Sequence, residues 1–441
     1  MRRSTMTAIG LGLTMAVLLV GAVLLGHTSE PDGRTVVTVR LWDPQVAAAY
    51  RQSFAEFNRE HPDIEVRVNT VAYSSYFDSL RTDVAGGSAD DIFWLSNAYL
   101  AGYADNGRLL NIGQTLGANA SRAWEPSVVN QFTRNDTLWA VPQLTDAGIA
   151  VYFNADLIDA AGVDLAELTR LRWSNGPDDT LRSLAARPHR RRAGPRGGHR
   201  RIRRRPHPAV GLQRRQRPSG RLPQLHRFGW RHFQHRRPLR LRQSASVEAF
   251  TYLVRLINDD HVAPPASATN NNGDFSRNMF LQGRMALFQS GTYNLAAVAN
   301  QARFRWGVVM LPAGPKGRVS VTNGIAAAAN SATSHPDAVR EVLSWMGSKR
   351  GNEYLGAGGA AIPAVLAAQP VYHDYWKARG VDVSPFFRVL RGPRIPAPGA
   401  AGFPAGYQAM KPYFDEMFLG RRDVEQSLAD AQWAANTAAA R

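Results

Sequence analysis

Segments with the period of strands alternate with segments with the period of helices over the first hundred residues. VVTVRLWD (residues 36–43), IEVRV (64–68) and DDIFWLSN (90–97) predict strands, and the last is apolar enough to be buried on both faces. The stretches between them predict helices, with inward positions Val46, Tyr50, Phe54 and Phe57 in the first and Tyr76, Leu80 and Val84 in the second. This alternation is typical of an α/β sheet with helices on both faces.

Polar side chains stand where the first and third of these strands end. In open α/β sheets, ligands bind outside the carboxyl ends of the strands. This rule brings Trp42 and Asp43 to the same rim as Ser96 and Asn97. Asp43 has the alternative role of a helix N-cap, because Pro44 follows it at a first helical position, where the missing N–H costs nothing.

The later chain continues the alternation. GIAVYF (148–153) predicts a strand, followed by a helix that opens at Asn154 or Asp156. Residues 278–294 predict a helix, a Gly-Arg turn, a short strand and an exposed loop at 291–294. A further helix has the inward positions Val339, Val342, Leu343 and Met346, and the chain from 412 to 440 is again helical.

The N-terminus has the pattern of an export signal. Arg2 and Arg3 precede an uncharged, mostly apolar run at 6–25 that is long enough to span a bilayer. Residues 1–30 are predicted to be a cleaved signal peptide or an uncleaved membrane anchor, with a buried helix as the remaining alternative. The chain has no cysteine, which excludes disulfides, thiolate metal sites and a lipid-modified cysteine. We expect an exported protein of the periplasm or cell envelope, either free or tethered to the outer face of the plasma membrane.

One segment carries the net charge of +18. Residues 187–242 hold 20 Arg and no acidic residue, whereas the rest of the chain has 33 basic and 35 acidic side chains. The segment has neither a helical nor a strand period, so we expect it to be disordered. A nucleic-acid arm is an alternative, because arginine binds phosphate and the interleaved Phe228, Trp230 and Phe233 could stack on bases.

Motifs on both sides of that segment resemble those of the extracellular solute-binding proteins (family 1, maltodextrin-binding type) of carbohydrate ABC importers. In chain order they are FNREHPDIEVRV, AGGSADDIFWLSN, NGRLLNI, LWAVPQ, VYFNADL, FLQGRMALFQSGTYN, GVVMLPAGP and GGAAIPA. The resemblance covers about residues 36–173 and 247–432. It implies an α/β, two-lobe periplasmic-binding-protein fold of type II that closes on a sugar between the lobes.

The same resemblance implies how the chain is divided. Lobe 1 is expected at 36–145 with returning segments at about 295–345, and lobe 2 at 146–186 and 244–294 with part of 346–441. Residues 187–243 stand where the family has ordinary second-lobe structure. The second lobe is therefore expected to be partly disrupted.

The candidate ligand contacts also come from the resemblance. A sugar has hydroxyl groups around a ring with apolar faces, so its site needs aromatic platforms beside carboxylate, amide and backbone groups. The implied contacts are Trp42, Asp43, Ser96, Asn97, Tyr152, Asn154, Gly291, Tyr293, Asn323, Gly324, Gly358, Gly359, Arg388 and Arg391. In this set Asp43 accepts hydroxyl or ammonium hydrogens and Tyr293 stacks on the sugar. The alternatives are structural, such as a core position for Trp42, a loop cap for Asn97 and surface exposure for the two arginines.

No pattern in the chain indicates an enzyme. Asp90 and Asp91 are adjacent, so on a strand they point to opposite faces and cannot flank one glycosidic bond. The Gly-x-Ser-x-Gly, His-Glu-x-x-His and phosphate-loop motifs are missing from the sequence. We expect a monomer that binds a carbohydrate, with an amino sugar as one candidate, and the permease of an ABC importer, without a cofactor, metal or nucleic acid. The alternative is an exported polyanion-binding protein that uses the arginine-rich segment.

The composition of the arginine-rich segment has one further explanation. Arg, Pro, Gly, His and Gln are the residues that a GC-rich coding sequence gives when it is read out of frame. Read one base later, with synonymous third bases chosen freely, Arg221–Arg242 becomes VYLNYIGSAGGTFSTGDRFAFD, which contains acids, aromatics and a Gly-Gly turn. We therefore predict a frameshift that opens near Pro188 and closes near Ser244, and weak or absent sugar binding by this chain.

Overall fold

The strands of the protein fall into two larger sheets and two short ribbons. The computed structural model describes residues 33–145, 147–187, 209–212, 239–270, 272–398, 400 and 402–440. The strands are β1 (Thr35–Leu41), β2 (Ile64–Thr70), β3 (Ile92–Ser96), β4 (Thr133–Arg134), β5 (Thr137–Leu138), β6 (Val141–Leu144), β7 (Ala150–Asn154), β8 (Ala209–Leu212), β9 (Met285–Ser290), β10 (Trp306–Met310), β11 (Ser320–Thr322), β12 (Ile325–Ala329) and β13 (Arg394–Pro396).

Helices cover both larger sheets. They are α1 (Pro44–Glu60), α2 (Tyr73–Gly86), α3 (Asn97–Ala104), α4 (Ile112–Leu116), α5 (Pro126–Phe132), α6 (Ala155–Ala160), α7 (Leu165–Thr169), α8 (Thr180–Ala185), α9 (Ser244–Asn258), α10 (Ala266–Thr269), α11 (Phe275–Leu281), α12 (Leu295–Gln301), α13 (Pro336–Met346), α14 (Lys349–Ala357), α15 (Pro370–Ala378), α16 (Ser384–Arg388), α17 (Phe403–Phe418) and α18 (Val424–Ala439). Short 3-10 turns lie at Ala120–Ala123, Thr292–Asn294, Leu366–Ala368 and Val389–Arg391.

The first lobe is built on the sheet β2-β1-β3-β12-β6. β1 runs parallel to β2 and β3, whereas β12 is antiparallel to both of its neighbours, β3 and β6. Helix α1 begins after Asp43 and ends before His61, as the sequence pattern predicts. The apolar face of α1 and nearly all of β3 are buried in one core together with β12.

The second lobe is built on the sheet β10-β7-β9-β8. Helices α9, α17 and α18 pack on one face of this sheet, and α11, α12, α15 and α16 pack on the other. The predicted α/β architecture in two lobes is confirmed. The crossing between the lobes is held by the ribbon β11-β13, by a hydrogen bond from Ala397 N to Thr322 O (3.0 Å) and by one from Ile149 N to Ser320 Oγ (2.8 Å).

The chain returns to the first lobe later than the sequence analysis expects. Return segments were expected from about residue 295, but β10 pairs with β7 in the second sheet and α12 packs in the second lobe. The strand that returns is β12, which inserts between β3 and β6. Both β10 and β12 are short apolar runs, so their pattern alone does not assign them to a sheet.

The prediction of disorder over residues 187–243 is wrong at both ends of that range and at residues 209–212 within it. Arg187 forms an ion pair with Glu167, β8 pairs with β9, and Leu239 and Leu241 are buried in the core of the second lobe. The physical reason at the C-terminal end is the alternation Leu-Arg-Leu-Arg, which places two leucines inward and two arginines in solvent. Residues 188–208 and 213–238, and with them most of the predicted frameshift, lie outside the described residues.

The predicted membrane segment also lies outside the described residues, since they begin at residue 33. Within the described residues, no helix has the length and apolar character needed to cross a bilayer.

Candidate ligand-binding cleft

A cavity of about 880 Å³ lies between the two lobes. This volume is within the range of small-molecule sites in proteins. Its aromatic lining consists of Trp42, Tyr73, Phe77, Tyr99, Tyr293 and Tyr407. Its polar lining includes Asp43, Asp78, Asn272, Asp274, Arg277 and Lys411. A second cavity, of about 60 Å³, adjoins it and shares Trp42, Asp43 and Tyr293 with it.

Trp42 borders both cavities. Its ring meets Tyr76 and Trp94 edge to face, with centroids 4.9 Å and 5.0 Å apart, and its side chain is almost fully buried. Nearby, the rings of Phe77 and Tyr99 are stacked with centroids 3.8 Å apart. Trp42 is therefore part of the core and of the cavity wall at once, while its contact with a ligand stays a prediction.

Asp43 caps a helix and also borders both cavities. Its Oδ1 accepts hydrogen bonds from Gln45 N (2.9 Å) and Val46 N (3.3 Å) and so caps α1. Its Oδ2 accepts none from the described residues, and the side chain borders both cavities.

The positive side chains of the cavity are paired with acids. Arg277 forms an ion pair with Asp274 (3.2 Å), and Lys411 forms one with Asp415. Tyr99 lies between the lobes, and burial raises its pKa well above its ordinary value, so its hydroxyl keeps its proton. The cavity thus presents aromatic faces, carboxylates and hydrogen-bond donors, which is the chemistry of a polyol site.

Comparison with known proteins assigns this two-lobe chain to a family. The model of the bacterial extracellular solute-binding protein family matches residues 52–380 of the chain. The chain belongs to this family. This family and its structural relatives are binding proteins and not enzymes.

Solved structures of other solute-binding proteins are similar to this chain over nearly its whole length. Against UspC of M. tuberculosis, the chain is 63% identical with a TM-score of 0.69, and the match covers 91% of this chain and 100% of that one. Maltose-bound MalE3 of T. maritima is 20% identical, with a TM-score of 0.74 and coverage of 91% and 99%. A substrate-binding protein of Listeria monocytogenes in complex with cycloalternan is 17% identical, with a TM-score of 0.76 and coverage of 92% and 98%.

A curated relative covers less of the chain. An uncharacterized lipoprotein of Streptomyces antibioticus is 29% identical over 160 residues, which is 34% of this chain and 34% of that protein. The chain thus spans about a third of the length of the curated relative that it matches.

In this solute-binding protein, four of the predicted contacts border the described cavities: Trp42, Asp43, Tyr293 and Asn323. Ser96 stands one step behind them, because it caps α3 and its Oγ donates to Asn323 Oδ1 at 3.3 Å. Gly291 lies in close contact with the ring of Tyr293. A Cβ at Gly291 would lie 2.4 Å from the Tyr293 ring, so glycine is what lets the ring lie there.

The structure corrects the predicted contacts at Tyr152 and Asn154. Tyr152 is fully buried and its hydroxyl donates to Gly291 O at 2.8 Å. Asn154 is buried and caps α6 by accepting from Asp156 N and Leu157 N. Neither lines a described cavity, because β7 turns Tyr152 into the core and the helix start occupies Asn154.

Asn97 and Gly324 are likewise structural rather than cavity-lining. Asn97 is buried and donates from Nδ2 to Ala397 O (3.0 Å), a link between the first lobe and the crossing segments. Gly324 N donates to Gln131 Oε1 (2.8 Å). Neither borders the described cavities.

The late candidates lie beside the cavities and not on them. Gly358 and Gly359 form the turn after α14, and the smaller cavity is lined by the next three residues, 360–362. Arg388 and Arg391 are exposed at the end of α16 and in the following turn, as the surface alternative expects. The predicted loop at 291–294 is not exposed, because Thr292 and Asn294 are buried.

Sequence reasoning missed part of the aromatic and charged lining. Tyr73 and Phe77 on α2, and Tyr407 and Lys411 on α17, are each spaced four residues apart, so each pair shares a helix face. That spacing was visible in the sequence. Nothing in the sequence assigned those faces to a cleft between lobes, because helix α17 lies more than 300 residues from α2.

Proposed function

We propose that this solute-binding protein captures a carbohydrate in the interlobe cavity and delivers it to the transmembrane permease of an ABC importer. The observation that carries the proposal is the cavity of about 880 Å³, with aromatic rings from both lobes facing carboxylate and amide groups. Aromatic rings bind the apolar faces of sugar rings, while carboxylates and amides select hydroxyl geometry.

The ligands of structural relatives support this assignment. The T. maritima protein is bound to maltose, the Listeria protein to cycloalternan, and a relative from Streptomyces glaucescens to acarbose. All are carbohydrates or carbohydrate-like compounds. The proposal extends that ligand class to this chain.

An amino sugar is the proposed ligand within that class. The support is Asp43, whose Oδ2 borders both cavities and accepts no hydrogen bond from the described residues. An ammonium group beside this carboxylate would make a charge-assisted hydrogen bond, which is stronger than a neutral one. Positive cavity side chains do not oppose it, since Arg277 and Lys411 are already paired with acids.

Thermal unfolding with a panel of neutral and amino sugars tests the proposal. A ligand that binds only the folded state at a hundred times its Kd adds about 2.7 kcal/mol of stability. We expect at least one sugar to raise the midpoint, with amino sugars ahead of their neutral counterparts. A midpoint that no sugar moves, in this chain and in a frame-restored version alike, would contradict the proposal.

We propose that the protein works as a monomer outside the plasma membrane and that residues 1–30 direct its export or anchor it. The family is extracellular, and the S. antibioticus relative is a lipoprotein. This chain has no cysteine to carry a lipid, so attachment would depend on the apolar run at 6–25. Fractionation of cells with and without that run tests the assignment.

We also propose that residues 188–243 are read out of frame and that their replacement weakens sugar binding. Every described cavity-lining residue lies outside this range. The loss of sugar affinity would therefore come from altered packing of the second lobe and not from the loss of one of these lining residues. A DNA trace across codons 185–246 tests the frame. Equal sugar affinities of this chain and a frame-restored version would contradict the functional effect.

The alternative of polyanion binding has its own test. Salt-sensitive retention on heparin that disappears when residues 187–242 are deleted would support it. Sugar-dependent stabilisation that survives the same deletion would support the carbohydrate assignment.

A further inference from the structure

The loop at 290–294 holds the one aromatic side chain of the second lobe that borders both described cavities, Tyr293. This loop follows β9 and contains the short turn Thr292–Asn294. Its backbone is fixed at Gly291, whose carbonyl accepts the Tyr152 hydroxyl at 2.8 Å and Asn294 N at 3.3 Å. The loop is therefore attached to the middle of the second sheet through one side chain.

Tyr152 is a rigid support for that carbonyl. It lies on β7, is fully buried, and its ring packs among Phe280, Phe288, Trp306 and Phe386 at centroid distances of 5.6–6.3 Å. Burial raises the pKa of Tyr152 well above its ordinary value, so the hydroxyl keeps its proton and can donate. A buried hydroxyl without a partner would be costly, which makes this bond persistent.

Gly291 transmits the support to the ring of Tyr293. A Cβ on Gly291 would lie 2.4 Å from Cε1 and 2.8 Å from Cδ1 of Tyr293, so the ring rests on the bare Cα of the glycine. The backbone of Gly291 is extended (φ −91°), a conformation open to any residue. The close approach of the ring, and not the backbone, is what requires glycine here.

The other end of the loop is also fixed. Asn294 Nδ2 donates to Ser290 Oγ at 2.6 Å, and both side chains are buried. With this end held, the hydrogen bond from Tyr152 to Gly291 O is the link between the loop and β7 that a single substitution can remove.

We infer that Tyr152 is a positioning residue for the ligand site: its hydroxyl holds Gly291, and Gly291 holds the Tyr293 ring against the cavity. This inference rests on the proposed function for its effect on sugar binding, but its effect on the loop does not depend on any ligand. Tyr152 touches no ligand itself and acts through Tyr293.

Hydrogen exchange of the full chain tests the positioning without a ligand. In Tyr152→Phe, which keeps the ring and removes the hydroxyl, amides at 290–294 exchange faster by about fivefold, the loss of one hydrogen bond. Tyr252→Phe is the matched control, because Tyr252 is a buried tyrosine of the same lobe whose hydroxyl donates to Asp179 Oδ1 (3.3 Å), away from the loop. Unchanged exchange at 290–294 in Tyr152→Phe, or equal acceleration in Tyr252→Phe, overturns the inference.

A double-mutant cycle with Tyr293→Ala tests the effect on binding. Tyr152→Phe alone weakens affinity for the sugar that stabilises the protein best by about fivefold, and it has no further effect once Tyr293 is Ala. Gly291→Ala, which pushes the ring away, gives a loss of the same kind. Additive losses from Tyr152→Phe and Tyr293→Ala would show that Tyr152 does not act through Tyr293 and would overturn the inference. If no sugar binds any variant, the proposed function fails, while the exchange result still decides the positioning.

Discussion

At the scale of single residues, Asp43 has to serve a helix and a cavity with one carboxylate. Oδ1 closes the first turn of α1, and the side chain borders both cavities. Asparagine caps a helix about as well as aspartate but carries no charge. The two roles can therefore be separated by substitution.

Asp43→Asn is expected to keep stability within about 0.5 kcal/mol of the wild type, whereas Asp43→Ala loses about 1 kcal/mol because the cap is removed. Both changes are expected to weaken amino-sugar binding by about tenfold, since each removes a charge-assisted hydrogen bond. Urea unfolding and calorimetric titration of the three proteins measure the two effects. An Asn variant with full amino-sugar affinity would remove Asp43 from the proposed site.

The residue scale is also where the sequence predicted least. The resemblance identified Tyr152 and Asn154 as contacts because they follow the crossing between lobes. It contained no information on which way each side chain points, and the alternation of β7 directs Tyr152 toward Phe280 and Phe288. The resemblance identifies Tyr293 as a loop aromatic that stacks on sugar, and Tyr293 does border the cavities, because it sits in a loop that the sheet alternation does not control.

At the scale of elements, side chains of helix α18 hydrogen-bond to the backbone of the extended segment at residues 239–242. Asn436 Oδ1 accepts from Leu239 N (2.6 Å) and its Nδ2 donates to Leu239 O (3.0 Å). One turn earlier, Gln432 Oε1 accepts from Leu241 N (2.6 Å). Two amides four residues apart thus hydrogen-bond to the backbone of Leu239, Leu241 and Arg242, while Leu239 and Leu241 enter the core.

Asn436→Ala is expected to destabilise the protein by about 1–3 kcal/mol, because it leaves both backbone groups of a buried leucine without partners. The control on the same helix is Gln426→Ala, because Gln426 is exposed and its side-chain amide donates to Asp430 (3.0 Å), so the change should cost about 0.5 kcal/mol or less. Denaturant unfolding of both variants measures the difference. Equal losses would mean that residues 239–242 are not held by α18.

A second link between elements makes stability depend on pH. The hydrogen bond from Arg182 lowers the pKa of Asp260 below its ordinary value of 3.8, and the Arg182 Nε to Asp260 Oδ2 distance is 2.6 Å. A lowered folded-state pKa adds stability that is fully present above the unfolded value and is lost as the pH falls through the folded one. The ion pair joins α8 to the end of α9 and is only partly exposed.

Asp260→Asn is therefore expected to be less stable than the wild type by about 1 kcal/mol at pH 6, because solvent screens the partly exposed ion pair and limits its contribution. The difference should shrink as the pH falls below 3.8 toward the folded-state pKa, where the wild-type carboxylate is protonated too. Urea unfolding of both proteins at pH 6 and at low pH gives the comparison. A difference that stays constant with pH would show that the ion pair contributes nothing through charge.

At the scale of the whole molecule, the sequence predicted two α/β lobes and the first three strands of the first sheet. It could not place β10 and β12, because assignment to one of two sheets depends on contacts between residues far apart in the chain. The cavity likewise depends on contacts between distant residues, because Trp42 and Tyr293 are separated by about 250 residues of sequence and border one space. Alternation and capping determine elements, whereas the site arises from how the two lobes meet.

A carbohydrate that binds between the lobes is expected to contact Tyr293. Isothermal titration of this chain and its frame-restored version with amino sugars and neutral sugars measures that binding. We expect saturable binding that is tighter in the frame-restored version and that weakens by about tenfold or more in Tyr293→Ala. Binding should persist in Tyr413→Ala, a change on α17 outside the described cavities. No binding by either version, or equal binding by Tyr293→Ala and the wild type, would contradict this expectation.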